Sequence, residues 1–258
     1  MRMKYNYHTH TWRCGHARGT EREYVETAIR EGFQELGFSD HVPYMFPKET
    51  GHYSSFRMPV EATEGYVDTI NALREEYKDD LKIFLGYELE YYPAFFDETY
   101  KFIEKFGFDY LILGQHFTNN EIDGVYSYNA TDDVAQFRRY GEQVIEAMKT
   151  GLFTYVAHPD LFSFMGDSGI YEEEAYKLCE ASLKYDVPFE INLLGIGDRR
   201  RYPNEKFWSI AGKLGVKTVL GCDAHYPSAI GDLSCVMKAE EIIEKYGVNL
   251  IEKPEKFK

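Results

Sequence analysis

The sequence predicts an α/β fold in which a parallel sheet closes into a barrel. Three observations point there. Seven short apolar runs alternate with segments of helical periodicity over the 258 residues, the pattern of parallel strands joined by helical crossovers. No glycine-rich turn with a downstream acid suggests dinucleotide binding, which weakens the case for an open doubly wound sheet. Histidines and acids also recur at the C-terminal ends of the runs, and in a parallel barrel those ends meet at one mouth.

The elements follow in order. "KYNYH" (4–8) is a short first strand. Thr20 and Glu23 have capping-box spacing and Gly32 stands where a helix would end, so 20–32 is a helix. "ELGFSDH" (35–41) is the second strand and opens a long loop, 42–59. Helical periodicity over 60–77 precedes the third strand, "IFLGYELE" (83–90), and a helix near 94–106 precedes the fourth, "DYLILGQHF" (109–117). A helix over 132–149 ends at Gly151 before a fifth strand, "YVAHPD" (155–160). Helices over 171–185 and 204–214 lead to "PFEINLLG" (188–195) and "TVLGCDAH" (218–225), and a helix near 236–246 closes the series. With no linker and no internal repeat, residues 1–258 read as one domain.

Composition narrows the partners. The chain is 44% hydrophobic and 16% aromatic, carries a formal charge of -14 and has a pI near 5.1. Without a basic stripe it is not expected to bind nucleic acid. No stretch reaches the roughly 18 to 20 apolar residues that span a bilayer, and no signal peptide precedes the first histidines. Cys14, Cys179, Cys222 and Cys235 show neither a C-x-x-C pair nor a disulfide spacing, so a reduced, cytoplasmic residence is expected.

The histidines carry the chemistry. His8 ends the first strand and His10 follows it in "NYHTHTWRCGHARG" (6–19), with His16 close behind. His41 ends the second strand, Glu88 stands at the end of the third, His116 ends the fourth, His158 the fifth, and Asp223 and His225 the seventh. Only His52 lies away from a strand end. Neutral imidazole is a good donor to Zn, Mn or Fe. A lone His-x-His pair is a weak signal, but packing gives no reason for seven histidines to gather at the same end of five strands. Nine candidate ligands exceed the roughly four that one zinc ion takes, so two or three divalent ions are needed, and Glu88 has two oxygens with which to bridge them.

His8-x-His10, His16, Asp40-His41, Gly86-x-Glu88, Gly114-x-His116, His158-Pro159 and Asp223-x-His225 together resemble the polymerase and histidinol phosphatase (PHP) family, whose motifs run in order from residue 8 to 225. "FRM", "ILGQHF" and "EINLLGIGDRRRYP" resemble its stand-alone histidinol-phosphatase type. The resemblance implies a distorted (β/α)7, TIM-like barrel with a trinuclear metal site at the C-terminal ends of the strands. It assigns His8, His10, Glu88 and Asp223 to one ion, Glu88, His116 and His158 to a second, and His16, His41 and His225 to a third. It also implies a substrate, L-histidinol phosphate, released as L-histidinol and inorganic phosphate in histidine biosynthesis.

Three divalent ions against Glu88 and Asp223 leave an excess of about three positive charges once a bridging hydroxide is counted. That suits a small phosphorylated metabolite better than a neutral amide or ester, with the hydroxide attacking phosphorus in line. "DRRRYP" (198–203) offers Arg199 or Arg200 as a phosphate clamp, with Arg18 and Arg57 as weaker candidates. Asp40, Asp160 and Asp198 are candidates to protonate the leaving alkoxide, or to orient a ligand histidine instead. Glu190 or Asn192 could meet the amine and imidazole of the substrate. The 42–59 loop is either a lid or a plain surface loop, and Cys14 and Cys222 are expected to be core thiols sensitive to oxidation. Other readings keep the site for sugar or nucleotide phosphates or phosphotyrosine. An amidohydrolase-type deaminase often bridges its metals with a strand-end lysine, absent here, and a non-catalytic relative would be expected to have lost ligands.

Overall fold

A computed structural model describes residues 2–258. Eight parallel strands form one sheet in sequence order: β1 (Tyr5–Asn6), β2 (Glu35–His41), β3 (Lys82–Leu89), β4 (Tyr110–Leu113), β5 (Tyr155–Val156), β6 (Phe189–Asn192), β7 (Lys217–Gly221) and β8 (Asn249–Leu250). Between them run α1 (Glu21–Glu31), α2 (Thr63–Glu76), α3 (Phe96–Glu104), α4 (Val134–Lys149), α5 (Ser168–Tyr185), α6 (Leu193–Gly197), α7 (Glu205–Leu214) and α8 (Leu233–Tyr246). The boundaries have local causes. Thr20 and Glu23 form the capping box that starts α1, and Gly32 ends it at φ 81°. Asp133, Asp167, Asn204 and Asp232 accept backbone N–H groups at the starts of α4, α5, α7 and α8.

The sheet closes at one end only. β7 pairs with β8 through Lys217–Asn249 and Thr218–Leu250. Past its last ladder residue, Ala224 bridges to Thr9 beyond β1. His10 N donates to Ala224 O at 3.0 Å and Ala224 N to His8 O at 3.2 Å. Seven strands therefore ring the C-terminal mouth, while β8 shares the free edge of β7 at the opposite end. The eighth strand was not anticipated: a ladder of two residues, Asn249 and Leu250, is too short to carry a periodicity. The expected sixth run, 188–195, also divides. Asn192 ends the strand and its Oδ1 accepts Gly195 N at 2.8 Å, so Leu193–Gly197 turns into α6.

Alternation sorts the strand residues. Leu36, Phe38, Leu85, Tyr87, Leu111 and Leu113 face outward into the apolar layer beneath the helices. Tyr7, Phe84, Tyr110, Ile112, Tyr155 and Val219 fill the lower barrel as a separate cluster. The Tyr110 ring lies where a side chain at Gly37 or Gly86 would stand, and its hydroxyl reaches the Tyr7 and Phe38 carbonyls at 2.8 and 3.0 Å. The floor is sealed by the C-terminal segment. Phe257 packs on Tyr7, Phe84 and Tyr110 with ring centroids 5.2, 4.9 and 5.9 Å apart, and Lys253 Nζ donates to Glu35 at 2.9 Å. Replacing Phe257 with Ala is expected to lower the unfolding free energy by about 1–3 kcal/mol, read as a shifted midpoint in urea denaturation.

Candidate metal centre

Above that aromatic floor the interior turns polar, and the change begins with a slip just past β1. Tyr7 faces the lower barrel, yet the next residue, His8, also faces inward. Asn6 and Thr9 take the other side together, with Asn6 Nδ2 donating to Thr9 Oγ1 at 2.8 Å. Asn6 Oδ1 accepts Cys222 N at 2.8 Å, which pins the slip to the β7 side of the seam. The shift in phase sends both His8 and His10 inward. Two more strand ends turn through left-handed backbone, His158 at φ 32° and Asp223 at φ 48°, strained conformations that recur at functional sites.

The Glu88 carboxylate lies at the centre. Its oxygens are 3.6 Å from His8 Nε2, 3.5 Å from His10 Nε2, 3.0 Å from His41 Nδ1, 3.6 Å from His116 Nε2 and 3.0 Å from His158 Nε2. Asp223 Oδ1 is 3.4 Å from His8 Nε2 and 3.1 Å from His10 Nε2, and those two nitrogens are 3.2 Å apart. A zinc ion with bonds of about 2.0–2.1 Å in tetrahedral geometry spaces its donors about 3.4 Å apart, so these distances suit a shared cation. A neighbouring group is formed by His16 and His225, whose Nε2 atoms are 2.9 Å apart. Glu88 Oε2, Asp223 Oδ1 and His41 Nδ1 are buried without a hydrogen-bond partner, a costly state that a cation would relieve.

Five of the seven imidazoles are aimed from behind, whereas His158 Nδ1 is buried without a partner. His8 Nδ1 meets Glu190 Oε1 at 2.8 Å, His10 Nδ1 meets Asp40 Oδ1 at 3.4 Å, and His116 Nδ1 meets Glu90 Oε1 at 2.7 Å. His16 and His225 use the carbonyls of Cys14 and Asp223, at 3.1 and 3.0 Å. Such contacts fix the tautomer and leave the other nitrogen for a metal. The electrostatics agree. Burial opposes a charge on His8, but Asp223, Glu190 and Glu88 together outweigh it and push its pKa up to about 10. His225 is driven down to about 3 by burial and then by His10. Glu88 and Asp223 lie well below the carboxylate range: burial alone would raise them, and the surrounding histidines reverse it. The carboxylates draw protons onto His8 while burial and neighbouring imidazoles keep them off His225, a crowding of donors that suits divalent cations.

Over the centre opens a cavity of about 780 Å³. Arg18, Asp198 and Arg200 line it, as do Phe56 of the 42–59 loop and Tyr126 and Tyr202. Arg200 donates to Tyr202 Oη at 2.8 Å and to Asp198 at 2.9 Å. Arg18 is exposed. Six other residues proposed from sequence do not reach the cavity wall. Glu190 and Asn192 face the barrel interior but lie below the ligands: Glu190 holds His8 and the His158 N–H, and Asn192 Nδ2 donates to Glu190 and Asp223 at 2.9 and 3.1 Å. Asp40 is buried behind His10, accepting from Thr11 Oγ1 and His41 N. Asp160 accepts from Asn204 N and, at 3.1 Å, from the Trp208 indole; its burial raises the carboxyl to about 7. Arg57 is buried between Glu90 and Glu121, and Arg199 is exposed in left-handed backbone outside the cavity lining.

Sequence reasoning missed Glu90 and the hairpin carrying Tyr126. Glu90 was legible in principle, since it sits two residues past Glu88 and shares its face. Tyr126 reaches the cavity through an antiparallel bridge to Phe117, a pairing that no apolar run announces. Cys14 and Cys222 are buried and unpaired, with burial raising both thiols, Cys222 to about 12.

Residues 6–194 match the model of the PHP domain. The chain is 31% identical over 239 residues to "Probable histidinol-phosphatase" of Deinococcus radiodurans, covering 87% of each chain. It is 27% identical to the histidinol-phosphatase of Lactococcus lactis, over 95% of this chain and 91% of that one. The crystal structure of histidinol phosphate phosphatase from Lactococcus lactis, complexed with zinc, L-histidinol and phosphate, superposes with a TM-score of 0.74 at 22% identity. That superposition covers 98% of this chain and 99% of the other.

The packing around Glu88 can be tested directly. A Cβ at Gly114 would overlap the Glu88 carboxylate, so Gly114→Ala is expected to displace it and weaken zinc binding about 10- to 100-fold. Titration of the metal-free protein against a chromophoric chelator measures the change.

Proposed function

The chain belongs to the PHP domain family, and we propose that it removes phosphate from L-histidinol phosphate, releasing L-histidinol and inorganic phosphate. It is a metal-dependent phosphomonoesterase of the histidinol-phosphatase type. The observation that carries this reading is the convergence of seven histidines with Glu88 and Asp223 under a cavity that Arg18 and Arg200 also line.

We assign three divalent ions to the centre. Our partition gives His8, His10, Glu88 and Asp223 to the first, Glu88, His116 and His158 to the second, and His16, His41 and His225 to the third. The spacings among His8, His10, Glu88 and Asp223 support the first group, while His41 lies close both to Glu88 and His116 and to His10 and His225, and His158 lies close to His8 and Asp223 as well as to Glu88. Nitrogen-rich donors suit zinc, with manganese and iron as the other candidates, and zinc is the ion of the Lactococcus lactis complex. Bound divalent ions supply an activated water and neutralise phosphoryl charge.

The remaining work falls to side chains at the mouth. Arg200 is held by Asp198 and Tyr202, and its forked donors with those of Arg18 would hold the phosphoryl oxygens. Phe56, Tyr126 and Tyr202 offer faces against which a flat, partly polar ring can pack. Asp198 alone among the three candidate acids lines the cavity, and we assign it the proton for the leaving alkoxide. Ligands drawn from β1 through to the end of β7 support a single catalytic domain over 1–258. Four unpaired cysteines fit a reducing, cytoplasmic setting, and none of the described helices is long and apolar enough to cross a membrane.

The test is phosphate release by the zinc- or manganese-loaded protein across a panel of monoesters. We expect kcat/KM for L-histidinol phosphate to exceed that for sugar, nucleotide and tyrosine phosphates by about 100-fold, equivalent to about 2.7 kcal/mol. Equal, slow rates across the panel would refute the substrate while leaving the chemistry. A second comparison addresses the acid. Asp198→Asn should reduce kcat at least about 100-fold on alkyl phosphates and far less on p-nitrophenyl phosphate, whose leaving group needs no proton.

A further inference from the structure

The 42–59 loop is fastened to the metal centre through one buried cation. The Arg57 side chain is 2% exposed. Its Nη2 donates to Glu90 and its Nε to Glu121, the latter at 2.7 Å, and its guanidinium lies over the rings of Phe56 and Tyr44, 4.6 and 5.1 Å away. These contacts join three separate segments. Glu90 follows β3, Glu121 belongs to the hairpin after β4, and Arg57 comes from the loop itself.

Glu90 Oε1 serves two partners, since the oxygen that receives Arg57 also meets His116 Nδ1 at 2.7 Å. The neighbour of Arg57 reaches the centre directly. Phe56 packs edge-to-face with the His41 and His116 rings, with centroids 5.2 and 6.0 Å apart. On the far side Glu121 also holds His52 of the loop at 3.1 Å. The two ends of the loop are anchored in the core by Val42, Tyr44 and Met58, whereas its middle, 48–55, is largely exposed and irregular apart from a 3-10 turn at Lys48–Thr50.

We propose that Arg57 is a positioning residue: through Glu90 it aims His116 at its metal, so that closure of the 42–59 loop and occupancy of that metal position are coupled. The proposal rests on the metal-centre reading but not on the identity of the substrate. Lysine cannot replace the arginine, because a single ammonium lacks the planar fork that spans two carboxylates. Removing either carboxylate loosens the clasp from one side, and Glu121 does so without touching a ligand.

The experiment compares the full-length protein with Arg57→Lys and Glu121→Gln. Zinc affinity is measured by competition with a chromophoric chelator, and loop order by the rate of limited proteolysis within 42–59, followed by mass spectrometry with and without zinc. Zinc should slow cleavage of the unmodified loop. Glu121→Gln should weaken the loosest zinc site about 10-fold and speed cleavage in the same preparation, and Arg57→Lys should do both more strongly. Faster cleavage of Glu121→Gln with unchanged zinc affinity would overturn the coupling, as would no change in either quantity. Should Arg57→Lys fail to fold, Glu121→Gln decides alone. An unmodified protein that binds no zinc, manganese or iron would refute the metal centre itself, a result distinguishable from uncoupled variants.

Discussion

A carboxylate buried among five imidazoles governs this structure. Glu88 is fully buried, and one of its oxygens lacks any hydrogen-bond partner. A charge so placed is tolerated only where positive charge compensates it. The barrel is shaped around that requirement. Strand ends from both halves of the chain must arrive at one depth, Gly114 must carry no side chain, and His158 and Asp223 must adopt left-handed backbone to face inward.

The same requirement organises what lies behind the ligands. Glu190, Asp40 and Glu90 each stand at the Nδ1 of a different histidine. They add negative charge that a count of direct ligands omits, so the positive excess offered to a phosphate is smaller than nine ligands alone suggest. The aromatic floor below, from Tyr7 to Tyr155, supplies a rigid and nearly nonpolar base. The polar layer is therefore one storey deep, bounded by close packing beneath and by the cavity above.

Much of this was legible in the sequence because metal ligands are restricted to few residue types and strand ends can be located from apolar runs. His41, Glu88, His116 and His158 fall where such runs stop, and the β/α alternation follows from the same runs. Direction was partly legible and depth was not. Glu190 and Asn192 do face the barrel interior, yet they sit beneath His8 and Asp223 rather than at the mouth. Arg57 illustrates a second limit: charge and a place in a loop over the mouth suggested a phosphate contact, whereas Glu90 and Glu121 enclose it. The slip between Tyr7 and His8 was invisible for a related reason, because it depends on Asn6 bonding to Cys222, 216 residues away.

The closure of the barrel at Thr9 and Ala224 has a consequence for how the protein is made. That seam is flanked by His8 and His10 on one side and by Asp223 and His225 on the other. The first of these side chains to leave the ribosome therefore wait for almost the last ones before the four can meet. A chain ending before β7 would carry the histidines of the earlier strands without Asp223 and His225. An ion seated across the seam would join the two ends of the barrel where they meet through the single bridge between Thr9 and Ala224.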